Sequence, residues 1–381
     1  MDAWSWLAEA AADRDRRGLI RRGTARGPGP DEVLDLASND HLGLARDPRV
    51  IDAGIAALRA YGAGATGSRL VTGTTHLHEQ LERALAEHSQ AEAALVFSSG
   101  YLANLGVVCA LAGPGDLIVA DADNHASLVD ACRLSRAQVV VVPHARPEAV
   151  ERALRDHPHR RGLVVTDAVF SVDGAAAPLV ALHEVVRAGG ALLLVDEAHA
   201  LGVVGHHGAG LVAECGLAGQ PDVVRTVTLS KALGGQGGAV LGSTVLRSHL
   251  VDTARSFIFD TGLTPASCAT ALAALQLVTP GLVASLRQVV DELADRLGVA
   301  RSTGAVVRVP IGEAHGAVSA QQSCLAEAVR VGCFRPPSVP EGGSCLRLAA
   351  RADLSAADVE RAADVVRRAA AVATSSGGGP P

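Results

Sequence analysis

Residues 191–202 read "ALLLVDEAHALG". The run "ALLLV" is apolar without alternation, and it stops abruptly at Asp196 and Glu197. A short run of that kind suits a strand buried on both faces, because an exposed face would show up as every second residue polar. Six further runs share the character: "AALVF" (93–97), "DLIVAD" (116–121), "QVVVV" (138–142), "GLVVTD" (162–167), "VVRTVTL" (223–229) and "GAVLG" (238–242). Helix-length segments separate most of them. Strands alternating with helices predict a parallel α/β sheet with right-handed crossovers. In such sheets ligands gather at the carboxyl ends of the strands. Several of these runs end in polar or flexible residues: Ser98-Ser99-Gly100, Asp167, Asp196-Glu197 and Ser230-Lys231. They predict one crevice lined by a phosphate cradle, carboxylates, His199 and a lysine.

Outward from this block, residues 4–22 read as an amphipathic helix and 33–44 as a short strand and a turn. Segments 48–60 and 76–88 read as helices, the second with Leu77, Leu81 and Leu85 on one face. Beyond about residue 265, helices at 266–278, 282–297, 317–331 and 355–373 flank short strands near 305–311 and 345–350. The expected organisation is an N-terminal helix and arm (1–45), a large, mostly parallel sheet domain carrying the site (46–265), a smaller C-terminal α+β domain (266–374) and a disordered tail, "SSGGGPP" (375–381). The stretch "GAGATG" (62–67) fits G-x-G-x-x-G, but a helix precedes it where a dinucleotide site requires a strand. It reads as a loop.

Composition narrows the function. The chain has 381 residues, 48% hydrophobic and 19% charged, in the range of a globular protein. A net charge of −6 argues against nucleic acid or an anionic membrane as the main partner. The seven cysteines (109, 132, 215, 268, 324, 333, 345) include no C-x-x-C pair, so neither zinc nor any other metal site is suggested, and a reducing cytoplasm fits. The first nineteen residues, with acids and interspersed arginines, do not read as a signal peptide.

Of the 34 basic residues, Lys231 in "TVTLSKALGGQGG" (226–238) is the one lysine. Bias toward arginine explains why lysines are scarce, but not why one survives between an apolar run and a glycine-rich turn. Arginine keeps its proton near neutral pH and cannot form an imine, whereas a desolvated lysine can. Asp196 has the placement needed to pair with a pyridinium nitrogen, as pyridoxal phosphate (PLP) requires, and His199 follows three residues later. "VFSSGYLANLG" (96–106) passes from strand to helix, whose first amides could bind a phosphate or merely be capped by serine. His125, at the start of the helix in "DNHASLVDACRLS" (123–135), could stack on a cofactor ring. Arg14, Arg16, Arg17, Arg21 and Arg22 form either a solvated face or a grip on an anionic substrate.

Together these residues resemble the α-oxoamine synthases, PLP enzymes of fold type I. The likeness spans roughly residues 15–370 and rests on "LASNDHLGLA", "GATGSRLVTGTTHLHEQLE", "FSSGY", "NHASLVDACRLS", "VFSVDGAAAPL", "VDEAHALG", "TLSKALGGQGG" and "FRPPSVPEGGSCLRL", in the family's order. The resemblance implies that Lys231 bonds PLP, Asp196 pairs with the pyridine nitrogen, His199 and Ser171 bond the phenolic oxygen, and His125 stacks on the ring. It implies a phosphate held by Gly100, Tyr101 and Thr228, with Thr261 reaching in from the second subunit of a homodimer. Arg347 would bind the amino-acid carboxylate, and Arg21, Asn39, Arg335 and Ser338 would line the substrate side. "RPPSVP" resembles the branch that condenses L-alanine with pimeloyl-CoA or a pimeloyl-carrier protein; a sibling branch joins glycine to acetyl-CoA. His41, Ala200 and Ser338 depart from that branch's usual Tyr, Gly and Thr, and none removes a catalytic group. Neither nucleic acid nor membrane is an expected partner.

Overall fold

The computed structural model describes residues 3–28 and 32–376. Its strands, in chain order, are β1 (Leu34–Leu36), β2 (Ala93–Phe97), β3 (Leu117–Asp121), β4 (Gln138–Val142), β5 (Gly162–Asp167), β6 (Leu192–Asp196), β7 (Val223–Thr228), β8 (Gly238–Gly242), β9 (Val306–Gly312), β10 (Val329–Phe334) and β11 (Ser344–Ala349). Seven form one sheet in the order β2-β8-β7-β6-β5-β3-β4. Within it only β8 runs against its neighbours. The chain goes from β7 to β8 through residues 229–237 without a helix, closed by Leu229 N–H to the Gly237 carbonyl at 3.0 Å. A return that tight can only be antiparallel.

The apolar runs do what an unbroken pattern predicts. Successive residues of β6 serve opposite faces: Leu193 and Val195 join one core with Val119, Val164 and Leu241. Leu194 joins the other with Leu95, Ile118, Val165 and Val240. The exception is β4. Its sequence is as apolar as the others, but Val141 is 64% exposed. Both β2 and β4 are edge strands, yet β2 is buried throughout because the helices His76–His88, Gly100–Leu111 and Thr244–Thr253 pack on it, whereas β4 packs mainly against the helix Pro147–Asp156.

Two expected helices are corrected. The segment 4–22 is helical only over Ser5–Arg16. Gly18 adopts φ +64°, and Leu19 N–H reaches the Arg14 carbonyl at 2.8 Å, so the glycine ends the helix and an extended arm begins. The segment 317–331 is a helix at Ala314–Ala326, followed by β10. Ala328, at φ +55°, turns the chain between them, and Val329 and Val331 are buried on one face as in a strand. The second sheet has the order β1-β10-β11-β9, so the arm contributes a strand, parallel to β10, to the C-terminal sheet. The final helix runs from Ala356 to Ser376; of the expected tail, residues 377–381 lie outside the described residues. No single helix among the described residues is long and apolar enough to cross a membrane.

Candidate active site

Register brings the carboxyl ends of β5 and β6 side by side, with Asp167 opposite Asp196. Both are nearly sealed from water, at 3% and 4% exposure. Asp196 accepts the Ala198 amide at 2.8 Å on Oδ1 and the Asn104 side-chain amide at 2.7 Å on Oδ2. Asp167 accepts the His125 amide at 2.8 Å. Burial, and then the charge of Asp196, push Asp167 well above the usual carboxylate range. The charged form of Asp167 is thus disfavoured, while Asp196 has a donor on each of its oxygens.

Lys231 lies just past the end of β7, and Gly234 N–H closes a turn on its carbonyl at 2.8 Å. Burial lowers its pKa, while Asp196 and Asp167 oppose the shift. His199 is buried, and its pKa falls well below the ordinary value through burial and then the Lys231 charge. His41 is fully buried, 6.3 Å from His199 between ring centroids. Its Nδ1 donates to the Ala350 carbonyl at 3.1 Å, its Nε2 has no partner, and burial lowers it to about 4. His125 caps the helix Ala126–Ser135 and is exposed on its outer side; the surrounding protein and Lys231 lower its pKa against the pull of Asp196.

Arg347, on β11, closes the crevice from the second sheet. It is 6% exposed, donates to the Ser171 carbonyl at 2.7 Å and to Asn39 Oδ1 at 2.9 Å, and lies 4.5 Å over the Phe334 ring. Burial lowers it to about 10. Among the described residues no carboxylate pairs with it, and its Nε is buried without a partner. A buried cation without a counter-ion is costly unless an anion arrives.

The first turn of helix Gly100–Leu111 follows β2. Ser99 Oγ accepts Leu102 N–H at 3.1 Å and the Ser99 carbonyl accepts Ala103 N–H at 3.0 Å, leaving the Gly100 and Tyr101 amides for an outside anion. Gly100 faces Thr228, where an added Cβ would sit 3.1 Å from the threonine Cβ. Thr228 Oγ1 lies 2.7 Å from Ser230 Oγ. The Tyr101 hydroxyl bonds Asp130. Thr261 is exposed and bridges to Ser68.

Other predicted residues stand apart. Glu197, expected along the crevice, turns behind the sheet: it is fully buried, accepts Val212 N–H at 2.8 Å and lies 3.5 Å from Arg225. Arg335 donates to the carbonyls of Gly18 and Ile20, so it holds the arm. Arg21 lines a cavity of about 650 Å³ with Arg22, His315, Gln322 and Arg335. Ser338 is exposed, its N–H on the Arg335 carbonyl at 3.0 Å. Asn104 was not singled out from the sequence: it sits inside the quoted "GYLANLG", but an asparagine in an apolar helix carries no signal of what it will meet.

The aminotransferase class I and II family model matches residues 31–366. The chain is 58% identical over 365 residues to the 8-amino-7-oxononanoate synthase of Mycolicibacterium gilvum, covering 95% of this chain and 96% of that one. It is 56% identical over 372 residues to the protein of that name from Mycobacterium tuberculosis, covering 97% and 96%. The chain belongs to the 8-amino-7-oxononanoate synthase family. It is thus a PLP-dependent acyltransferase of fold type I, as the sequence resemblance implied. Solved structures agree with the fold. A Sphingomonas wittichii serine palmitoyltransferase superposes with a TM-score of 0.89 at 32% identity, covering 98% of this chain and 99% of that one. A Francisella tularensis 8-amino-7-oxononanoate synthase gives 0.75 at 25%, covering 89% and 98%. The residues present fit the family's cofactor: an amine of lowered pKa, a buried carboxylate held as an acceptor, and a helix start with two open amides.

Proposed function

We propose that the enzyme condenses L-alanine with a pimeloyl thioester, carried on coenzyme A or on a carrier protein, releasing CO2, the free thiol and 8-amino-7-oxononanoate for biotin biosynthesis. The observation that carries the reading is Arg347: a buried guanidinium, aligned by Asn39 and Ser171 near Lys231, with no acid of its own. An amino-acid carboxylate matches its fork. The names of the relatives support the acyl partner.

In this reading Lys231 holds PLP covalently, Asp196 faces its ring nitrogen, His125 covers its ring, and His199 with Ser171 faces its phenolic oxygen. Gly100, Tyr101 and Thr228 receive its phosphate. When bound, PLP supplies an electron sink for charge at the amino acid's Cα. The protein's own part is then placement and proton transfer. Arg347 grips the carboxylate, which orients the Cα–H bond. Lys231, set free when the amino acid's own amino group takes its place on the cofactor and with its charged form disfavoured by burial, takes the Cα proton as a base. The carbon forms a bond to the thioester carbonyl carbon, the thiolate leaves, CO2 departs, and Lys231 returns a proton to Cα. His199, neutral and buried, can donate a hydrogen bond to the acyl oxygen where charge develops. Arg21 lines the cavity beside the arm and meets the carboxylate at the far end of a pimeloyl chain.

Thr261 completes the phosphate site from a second copy of the chain. Exposed Ile51 (44%), Leu58 (47%), Val71 (80%) and Phe259 (70%) offer apolar surface for such a dimer. The test is product mass: PLP-loaded enzyme with L-alanine and pimeloyl-CoA should yield 8-amino-7-oxononanoate. Faster turnover of glycine with acetyl-CoA would move the enzyme to the sibling reaction.

A further inference from the structure

Asn104 lies in the helix Gly100–Leu111, is 2% exposed, and its side chain is fully engaged. One amide hydrogen goes to Asp196 Oδ2 at 2.7 Å and the other to Ser127 Oγ at 2.8 Å, while its Oδ1 accepts the Thr226 hydroxyl at 2.7 Å. Ser127 and Thr226 are each 1% exposed. The Thr226 hydroxyl on Oδ1 and the Asp196 and Ser127 oxygens around Nδ2 fix which end of the amide faces Asp196. The consequences run outward. Ser127 Oγ receives a hydrogen from Asn104, which leaves its own hydroxyl hydrogen to be given to His125 Nδ1, 2.7 Å away. The Ser127 backbone N–H points at the same nitrogen at 3.2 Å. Two donors converge on Nδ1. That nitrogen must be an acceptor, and the ring proton must sit on Nε2.

We propose that Asn104 is a positioning residue of the reaction, its side-chain amide acting with the Ala198 and Ser127 backbone N–H groups to hold Asp196 as an acceptor and His125 as the Nε2–H tautomer. The proposal rests on the reading that Asp196 and His125 face the cofactor. Within it, two groups on different elements, one at the end of β6 and one at a helix start, are linked through one side chain on a third. Any residue without two N–H donors at this position uncouples them. Asn104→Asp would set an acceptor, or a competing proton, against Asp196.

The test uses Asn104→Ala and PLP-loaded wild type, both labelled with 15N-histidine, with His125→Gln to assign the His125 ring signals. In the wild type Nδ1 should report an unprotonated nitrogen and Nε2 a protonated one. Asn104→Ala should show mixed tautomers at His125. It should also bind PLP about 10- to 100-fold more weakly by fluorescence titration, and lower kcat by a similar factor with the KM for alanine unchanged, the size seen when a group orienting a functional histidine is removed. A merely structural role would leave the ring nitrogens as in the wild type, and that outcome overturns the proposal. Should Asn104→Ala fail to fold, Thr226→Val carries the test. It keeps Asn104 but removes the donor to its Oδ1, and tautomer mixing at His125 is again expected; an unchanged His125 would overturn the idea. If wild type makes no product from alanine and pimeloyl-CoA, the reading of the reaction fails, while the ring nitrogens still decide the role of Asn104.

Discussion

The crevice at the strand ends and the cleft beside the N-terminal arm are built in opposite ways. At the strand ends the polar groups are buried and mostly held by fixed partners: Asp196 has two donors, Asn104 makes three side-chain bonds, and Arg347 is clamped by Asn39 and Ser171. Beside the arm, Arg21 and Arg22 are exposed, and order rests on a few contacts. Arg335 holds the Gly18 and Ile20 carbonyls, and Arg17 pairs with Glu341 at 2.6 Å across surface exposed to solvent. The difference teaches a division of labour. Proton transfer at one carbon demands geometry that only a packed, desolvated frame maintains. In the proposed reaction a long, flexible acyl chain needs a wall that can admit it, and the exposed arginines of the short arm suit that.

The largest expected effect breaks the rigid side. Lys231→Ala should abolish covalent attachment of the cofactor and lower turnover by more than about 1,000-fold, since both base and anchor are lost. Borohydride treatment of the parent enzyme should fix the cofactor on the peptide holding Lys231; label recovered only at the N-terminal amine would remove Lys231 from the mechanism. Next comes Arg347→Lys, which keeps a charge but loses the planar fork. The KM for alanine should rise about 10- to 100-fold, with the KM for the pimeloyl thioester little changed. Equal rises in both would place Arg347 outside the amino-acid site.

A smaller effect tests the exposed side. Arg335→Ala frees the arm by removing two charge-assisted bonds to carbonyls, so protease cleavage within residues 17–28 should quicken by about 10-fold. The KM for the acyl thioester should rise while that for alanine stays put, which separates the two regions kinetically. Smallest is a stability effect far from either. His78 is fully buried, donates from Nε2 to the Leu263 carbonyl at 2.8 Å, and burial lowers it to about 4. Its folded pKa lies below its unfolded value, so its contribution to stability is present above about pH 6.5 and is lost as pH falls toward 4. Urea unfolding should show a slope of at most about 1.4 kcal/mol per pH unit from this residue over that window. His78→Gln should flatten it; an unchanged slope would show that His78 takes up no proton on unfolding.

Much of this was legible in the chain itself. The runs 93–97, 138–142, 162–167 and 238–242 are strands with the same ends, because a short apolar run between polar or glycine stops is a local property. That the acids Asp167 and Asp196 would meet at one edge of the sheet followed from the parallel topology, and a lone lysine after an apolar run announced its chemistry by what arginine cannot do. What the sequence alone determined was therefore the inventory of strands, their shared carboxyl edge and the single lysine available for the proposed chemistry. Tertiary structure decided the rest. It turned Glu197 behind the sheet while its neighbour Asp196 faced forward, since adjacent residues at a strand end point to opposite sides. It made β10 from the end of an apparent helix once Ala328 took a left-handed turn, and joined the arm's β1 to it. It also set Asn104 against Asp196, Ser127 and Thr226, which lie 92, 23 and 122 residues away along the chain. Patterns of three or four residues encode a helix face, but only the packing of that helix across the strand ends decides which side chains it touches.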